Sequence, residues 1–299
     1  MRRVVMRRLL LLLLLGLATG QAASPAWGGS PPASPTHDPL RIAVAAMISP
    51  METVSAYQEL MDYIARRLGR PVELKQRRTY QEVNDMLGTG KLDAAILCSG
   101  PYVHARRQYG VELLAVPVVQ GSPTYHSYII VPTASPAASL LDLRGKRFAY
   151  TDPLSTSGRL YPAYALLQAG HRPATFFAKT FYTYSHDNSI EAVAEGVADG
   201  AAVDSLIYNY LKRIRPDLVA RTRVVQESPP LGAQPVGVPR GLDPAVKRGL
   251  QTVFLGLHQD PEARPILQKL GVDRFIPGED RLYDSIRRML KAVEGAKTP

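Results

Sequence analysis

From Leu40 onward, short apolar runs alternate with stretches in which apolar residues recur at helical spacing. Arg41-Ile42-Ala43-Val44-Ala45 predicts a buried strand, and Val54, Tyr57, Leu60, Met61, Ile64 and Leu68 then define one helical face that Gly69 terminates. Val72 to Lys75 predicts a second strand, Tyr80 to Leu87 a short helix ending in Gly88, and Ala94 to Cys98 a third strand. This βαβαβ order implies an α/β fold. Its sheet is mixed and mostly parallel, with helices on both faces and ligand positions at the loops after the strand ends.

A second cycle begins at Arg147-Phe148-Ala149-Tyr150 and continues through a helix from Gly158 to Gln168, stopped by Gly170. A helix from Ile190 to Ala198 then leads into a strand from Ala201 to Asp204. The pattern therefore predicts two α/β lobes, residues 40–130 with 233–299 forming the first and 131–232 the second. Ser127 to Pro132 and Arg223 to Val225 read as the strands that cross between them. The tail, with helices near Pro261 to Leu270 and Asp280 to Val293, is expected to pack back on the first lobe.

The N-terminus follows another rule. Arg2, Arg3, Arg7 and Arg8 precede an apolar run from Leu9 to Leu15 and a small-residue stretch to Ala23, the order of a cleavable export signal over residues 1–23. That run is too short to span a bilayer, which needs about 20 apolar residues. No cysteine follows it, so a lipoprotein anchor is excluded and a soluble periplasmic form is expected. Residues 24–39 carry five prolines among Gly, Ser and Ala and read as a flexible leader. The 299-residue chain has a formal charge of +10, and losing the four signal arginines lowers it to +6. The remaining basic residues fall in scattered pairs such as Arg66-Arg67 and Arg287-Arg288, a poor match to a nucleic-acid surface. Its one cysteine excludes an intramolecular disulfide, and neither metal-ligand spacing nor a cofactor motif occurs.

Candidate chemistry concentrates in Asp152-Pro153-Leu154-Ser155-Thr156-Ser157-Gly158, between a strand and a helix. One hydroxyl suffices to cap a helix. Three in succession followed by glycine suit an anion, because hydroxyls and exposed helix N–H groups converge at the positive end of the dipole. His186 stands just before a helix and Asp204 at the end of a strand, where either can cap or can face a ligand. A carboxylate beside an anion repels it unless a proton lies between them, so Asp204 suits a protonated oxyanion or a ligand amine.

The order Ser155-Thr156-Ser157-Gly158, His186 and Ala202-Val203-Asp204 resembles the PhnD-like family of periplasmic binding proteins for phosphonate, phosphite and phosphate. Ser99-Gly100-Pro101-Tyr102 and Tyr125 to Ile130 resemble it too, and the likeness covers about residues 40 to 295. It implies two lobes on a two-strand hinge that close on a ligand and present it to the membrane subunits of an ABC importer. It also implies a monomer with oxyanion contacts at Ser155, Thr156, Ser157 and His186, with Tyr102 on the opposing lobe and Asp204 on the ligand's protonated or amino group. Met47 to Thr53 should also line the cleft.

Cys98 ends a predicted strand just before that cleft loop. It reads either as a small core residue or as a soft ligand. In the second case it resembles the cleft cysteine of arsenite-sensing members, which signal to a membrane histidine kinase. Enzyme motifs are lacking: there is no HExxH or GxSxG, and Gly88-Thr89-Gly90-Lys91 lacks phosphate-loop spacing. Catalysis is therefore not expected.

Overall fold

The computed structural model describes residues 38–296. The export signal and nearly all of the leader lie outside them.

The chain opens with β1 (Leu40–Val44), α1 (Pro50–Leu68), β2 (Val72–Lys75), α2 (Tyr80–Gly88), β3 (Ala94–Ile96), α3 (Ser99–Tyr109) and β4 (Glu112–Val118). Local chemistry sets these bounds. Pro50 starts α1 and Gly69, at φ 59°, ends it in the left-handed conformation. At α2, Thr79 and Glu82 cap each other's backbone amides reciprocally.

A two-residue strand, β5 (Thr124–Tyr125), leads into β6 (Ser127–Pro132), β7 (Arg147–Tyr150), α4 (Tyr161–Gln168), α5 (Pro173–Phe176) and β8 (Lys179–Tyr182). Next come α6 (His186–Ala194), β9 (Gly200–Asp204), α7 (Ser205–Ile214), α8 (Pro216–Val219) and β10 (Thr222–Glu227). The chain returns through β11 (Leu231–Gly232) to β12 (Val236–Val238), α9 (Pro244–Gly256), α10 (Arg264–Leu270), β13 (Arg274–Ile276) and α11 (Asp284–Gly295).

Two sheets result, a six-stranded one in the order β13-β4-β12-β3-β1-β2 and a five-stranded one in the order β10-β6-β9-β7-β8. Both are mixed. The βαβ portions β2-β1-β3 and β8-β7-β9 are parallel, and the remaining pairings are antiparallel. Each sheet is therefore less parallel than the alternating pattern alone suggests.

The crossing strands differ from the sequence reading. Ser127–Pro132 and Thr222–Glu227 pair with each other inside the second sheet, so a lobe boundary at 130/131 would cut β6. The passage falls just outside them, where β5 and β11 form a separate antiparallel ribbon, Tyr125 opposite Leu231 and Thr124 opposite Gly232. Apolar burial explains the shift, because Ile129, Ile130 and Val131 are buried as a central strand requires. The tail also divides. Helix α10 packs on α1 of the first sheet, whereas α11 touches both α3 and α4 and so leans on the two lobes together.

The two layers meet directly. A single apolar cluster runs from Val83, Leu87 and Tyr102 of the first lobe to Phe148, Tyr150 and Leu160 of the second. Among the described residues no helix is long and apolar enough to cross a membrane.

Candidate functional site: a buried cradle of hydroxyl and imidazole donors

Five helical segments begin at the seam between the sheets, with Tyr80, Ser99, Thr156, His186 and Ser205 as their first residues. Each starting turn leaves backbone N–H groups without helical partners, and the dipoles add positive potential at the same end. Convergence of such ends makes an anion site without any cationic side chain.

The Ser-Thr-Ser-Gly segment opens as a turn of π-helix, Thr156–Leu160. Ser155 is the cap, its hydroxyl accepting from Gly158 N at 3.0 Å. Thr156 faces the first lobe and accepts from Ser99 Oγ at 3.1 Å, while Ser99 shares a 2.9 Å hydrogen bond with the Tyr125 hydroxyl. Ser157 Oγ is buried without a well-formed hydrogen bond, although the Tyr125 hydroxyl lies close enough to act on it. Gly100 lets the lobes meet here: a Cβ on it would lie 2.4 Å from the Leu154 carbonyl oxygen and 2.7 Å from Thr156 Oγ1.

His186 is fully buried, and its ring is oriented from behind. The Asp204 backbone N–H donates to Nδ1 at 3.2 Å, with Thr151 Oγ1 3.1 Å from the same nitrogen. An amide N–H can only donate, so Nδ1 holds a lone pair and the proton sits on Nε2. Burial pushes the imidazole pKa down to about 3, against the pull of Asp187, and keeps the ring neutral. Its Nε2–H is thus a donor, buried and unpartnered. The Tyr80 hydroxyl is a further buried polar group without a partner.

Asp204 caps α7 by accepting from Leu206 N and Ile207 N at 2.8 and 3.3 Å, and Gln234 Nε2 donates to its other oxygen. Burial raises its pKa to about 7 in spite of those three donors. It can therefore hold a proton near neutrality, which removes the conflict between a carboxylate and a neighbouring anion.

The structure brings together Ser155, Thr156, Ser157, His186, Asp204 and Cys98, all buried at the seam. It does not bring Tyr102. That phenol extends one helical turn deeper, packs against the Tyr283 ring at 4.7 Å and donates to Asp280 at 2.8 Å. The nearby acceptor and aromatic face draw it toward the C-terminal segment, and the short Ser99 occupies the seam instead. Met47 to Thr53 does line the cleft, Met47 O accepting from His186 N at 2.9 Å and Ser49 N donating to Asp187 at 3.0 Å. Cys98 forms part of the cradle wall within the first sheet's core. Burial raises its thiol to about 11, although the Thr156 and Gly100 amides oppose the shift.

Tyr80, Ser99, Tyr125 and Gln234 carry no individual site role in the sequence reading, although Ser99 and Tyr125 lie in segments that resemble the family. Tyr80 and Ser99 open helices, a position the helix-start rule flags. Gln234 is a polar residue wedged between apolar strands and carries a weaker signal.

Two α/β lobes on a paired ribbon, closed over a buried set of unpaired donors, define the class of two-lobed solute-binding proteins. The family model described as "ABC transporter, phosphonate, periplasmic substrate-binding protein" matches residues 42–283, and the chain belongs to that family. It is 30% identical over 184 residues to the phosphonates-binding periplasmic protein of Escherichia coli K12, covering 60% of this chain and 54% of that protein. The chain thus spans little more than half the length of that relative.

Two solved structures are similar. The binding-protein component of a Pseudomonas aeruginosa ABC phosphonate transporter superposes with TM-score 0.82 at 22% identity, covering 86% of this chain and 87% of that one. PhnD1 of Prochlorococcus marinus in complex with methylphosphonate gives 0.77 at 21% identity, covering 85% and 98%. At such identities the likeness speaks for the fold.

Proposed function

We propose that this protein captures a phosphonate, phosphite or phosphate-type oxyanion in the periplasm and presents it to the membrane subunits of an ABC importer. The observation that carries this reading is the set of buried, unpartnered groups at Ser157 Oγ, His186 Nε2 and Tyr80 OH, ringed by helix N-termini. Unmet buried polar groups are costly, so they call for a partner. Every one can donate, and the converging helix ends favour negative charge.

In mechanism, the open lobes admit the anion to the Thr156–Ser157 turn and His186. Closure then adds Tyr80 and Ser99 from the first lobe and expels water. Three hydrogen bonds to a charged ligand contribute about 1.5–3 kcal/mol each. Their sum, of order 5–9 kcal/mol, is comparable with the roughly 8 kcal/mol of micromolar affinity. Asp204 donates to a bare oxyanion when protonated and, when ionised, accepts from a ligand OH or amine. The chemistry is capture and release, with no bond made or broken.

Calorimetry on the purified protein with methylphosphonate, phosphite, phosphate and arsenite tests the reading. At least one phosphorus oxyanion should bind at micromolar affinity or better, and Ser157→Ala should weaken it by about 1–3 kcal/mol. Binding of arsenite alone, or wild-type affinity in Ser157→Ala, would overturn it.

A further inference from the structure

Two carboxylates of the second lobe reach across to the first. Asp187, in the opening turn of α6, is buried, and both of its oxygens accept from Ser49 N at 3.0 Å, at the start of α1. Among the described residues no other group donates to that carboxylate. Asp152, buried after β7, accepts from Tyr80 N, the first amide of α2, at 3.2 Å, and from Leu154 N of its own loop at 2.8 Å. Arg213, near the end of α7, repeats the arrangement with the opposite sign: its guanidinium donates at 3.4 Å to the Lys269 carbonyl in the last turn of α10.

The signs follow the helix dipole. A helix carries unpaired N–H groups and positive potential at its N-terminus, and unpaired carbonyls and negative potential at its C-terminus. Each of these side chains bears the charge opposite to the helix end it meets, and each belongs to the other lobe. Helix α1 has a use for such a partner, because its N-cap residue Ser49 makes no side-chain capping bond. A carboxylate out of water is unfavourable unless protein donors replace the lost water, and Asp187 has its donor only while the lobes are together. Beside it His186 N donates to Met47 O at 2.9 Å, so residues 186–187 dock on residues 47–49 by backbone and side chain at once.

Resting on the lobe closure described above but on no particular ligand, we propose that Asp187 and Asp152 form an interlobe latch. They cap α1 and α2 of the first lobe from the second, so that the protein favours its closed form before any ligand arrives. Both are positioning residues: the approach of Tyr80 and Ser99 to the cradle draws on contacts that the ligand does not touch. The latch adds to affinity by raising the fraction of protein already competent to hold an anion. It does so for every ligand alike, and selection among ligands rests on the cradle.

Nitroxide labels at Ser55→Cys on α1 and Val197→Cys beyond α6, both exposed, report the lobe separation by pulsed electron spin resonance, while the buried Cys98 stays unlabelled. Losing a helix cap shifts an equilibrium about two- to thirtyfold. The closed-to-open ratio of the ligand-free protein should fall by that factor in Asp187→Ala, and by the product, up to several hundredfold, in Asp152→Ala/Asp187→Ala. Saturating methylphosphonate should restore the short distance in both, with its calorimetric affinity falling in step with the closed fraction. Asp187→Asn keeps an acceptor oxygen and should recover part of the closed population. Ser49→Pro deletes the donor from the other side, at a φ of −57° that proline adopts, and should match Asp187→Ala. Ligand-free distances unchanged in the double variant and in Ser49→Pro, or a shift toward the closed form, would overturn the latch. A lowered melting temperature with wild-type distances would overturn it too, by making these carboxylates supports of the fold alone. If methylphosphonate fails to bind, the ligand-free distances still decide the latch, and the failure counts against the oxyanion reading.

Discussion

Gly100→Ala puts the closed geometry under direct test. Gly100 is the second residue of α3, and its α-carbon faces the Leu154–Thr156 backbone of the other lobe. An added methyl would stand 2.4 Å from the Leu154 oxygen, where ordinary contact begins near 3.4 Å. Both elements are backbone, so relief comes from separating the lobes by about 1 Å at this point. The Ser99–Thr156 hydrogen bond at 3.1 Å would then stretch past useful length, and donors from the first lobe would lose reach to the anion. Losing one or two contacts worth about 1.5–3 kcal/mol each weakens binding by at least about tenfold, and by about 20,000-fold at the upper end. The ligand-free protein should keep its melting temperature or gain slightly, since alanine favours a helix over glycine by about 1 kcal/mol. Calorimetry with methylphosphonate and thermal melting of the free protein measure the two effects. Unchanged affinity would refute the argument, as would a matching fall in ligand-free stability, which would place the clash within one lobe.

Three further expectations follow. His186→Phe removes the Nε2–H donor and should cost about 1.5–3 kcal/mol of oxyanion affinity, read by the same titration; a loss under twofold contradicts the donor role. In pH-dependent melting, Asp204 and His186 act in opposite directions. The raised Asp204 pKa, about 7 against 3.8, means the folded state retains a proton the unfolded chain has lost, so stability falls as pH climbs through that window. The lowered His186 pKa, about 3 against 6.5, means the unfolded chain binds the extra proton, so stability rises with pH through its window. Between about pH 4 and 6.5 slopes of about 1.4 kcal/mol per unit oppose each other, and Asp204→Asn should leave a steeper rise than wild type; equal slopes would count against a raised Asp204. Tyr102→Phe should lower the melting temperature by a few degrees through the lost bond to Asp280 and leave ligand affinity unchanged, an altered affinity returning Tyr102 to the site.

Local structure was legible wherever neighbouring residues decide it. Val72–Lys75 and Arg147–Tyr150 form strands with the bounds their apolar patterns imply, and Gly69 stops α1 as a left-handed cap. The hydroxyl turn and His186 were also legible, since helix-start chemistry is written in adjacent residues. What was not legible depends on contacts between distant segments. β6 and β10 look like linkers until their mutual pairing is seen, and the Tyr102 phenol is directed by Asp280 and Tyr283, far along the chain. Tyr80 joins the cradle only because the lobes meet, with Asp152 accepting from its backbone N–H at 3.2 Å across the seam.

The β5–β11 ribbon has a bearing on how an outside partner learns that the site is filled. Tyr125 is one of its two paired positions, and the same residue sends its hydroxyl to Ser99 at 2.9 Å in the cradle. The pivot therefore carries one of the groups at the site of capture. On the proposed reading, a ligand that fixes that phenol would also set the angle of the ribbon, and a small angle there would become a larger displacement at the far rims of the sheets. On that reading, a receptor resting on both rims would sense occupancy as a distance, without touching the ligand.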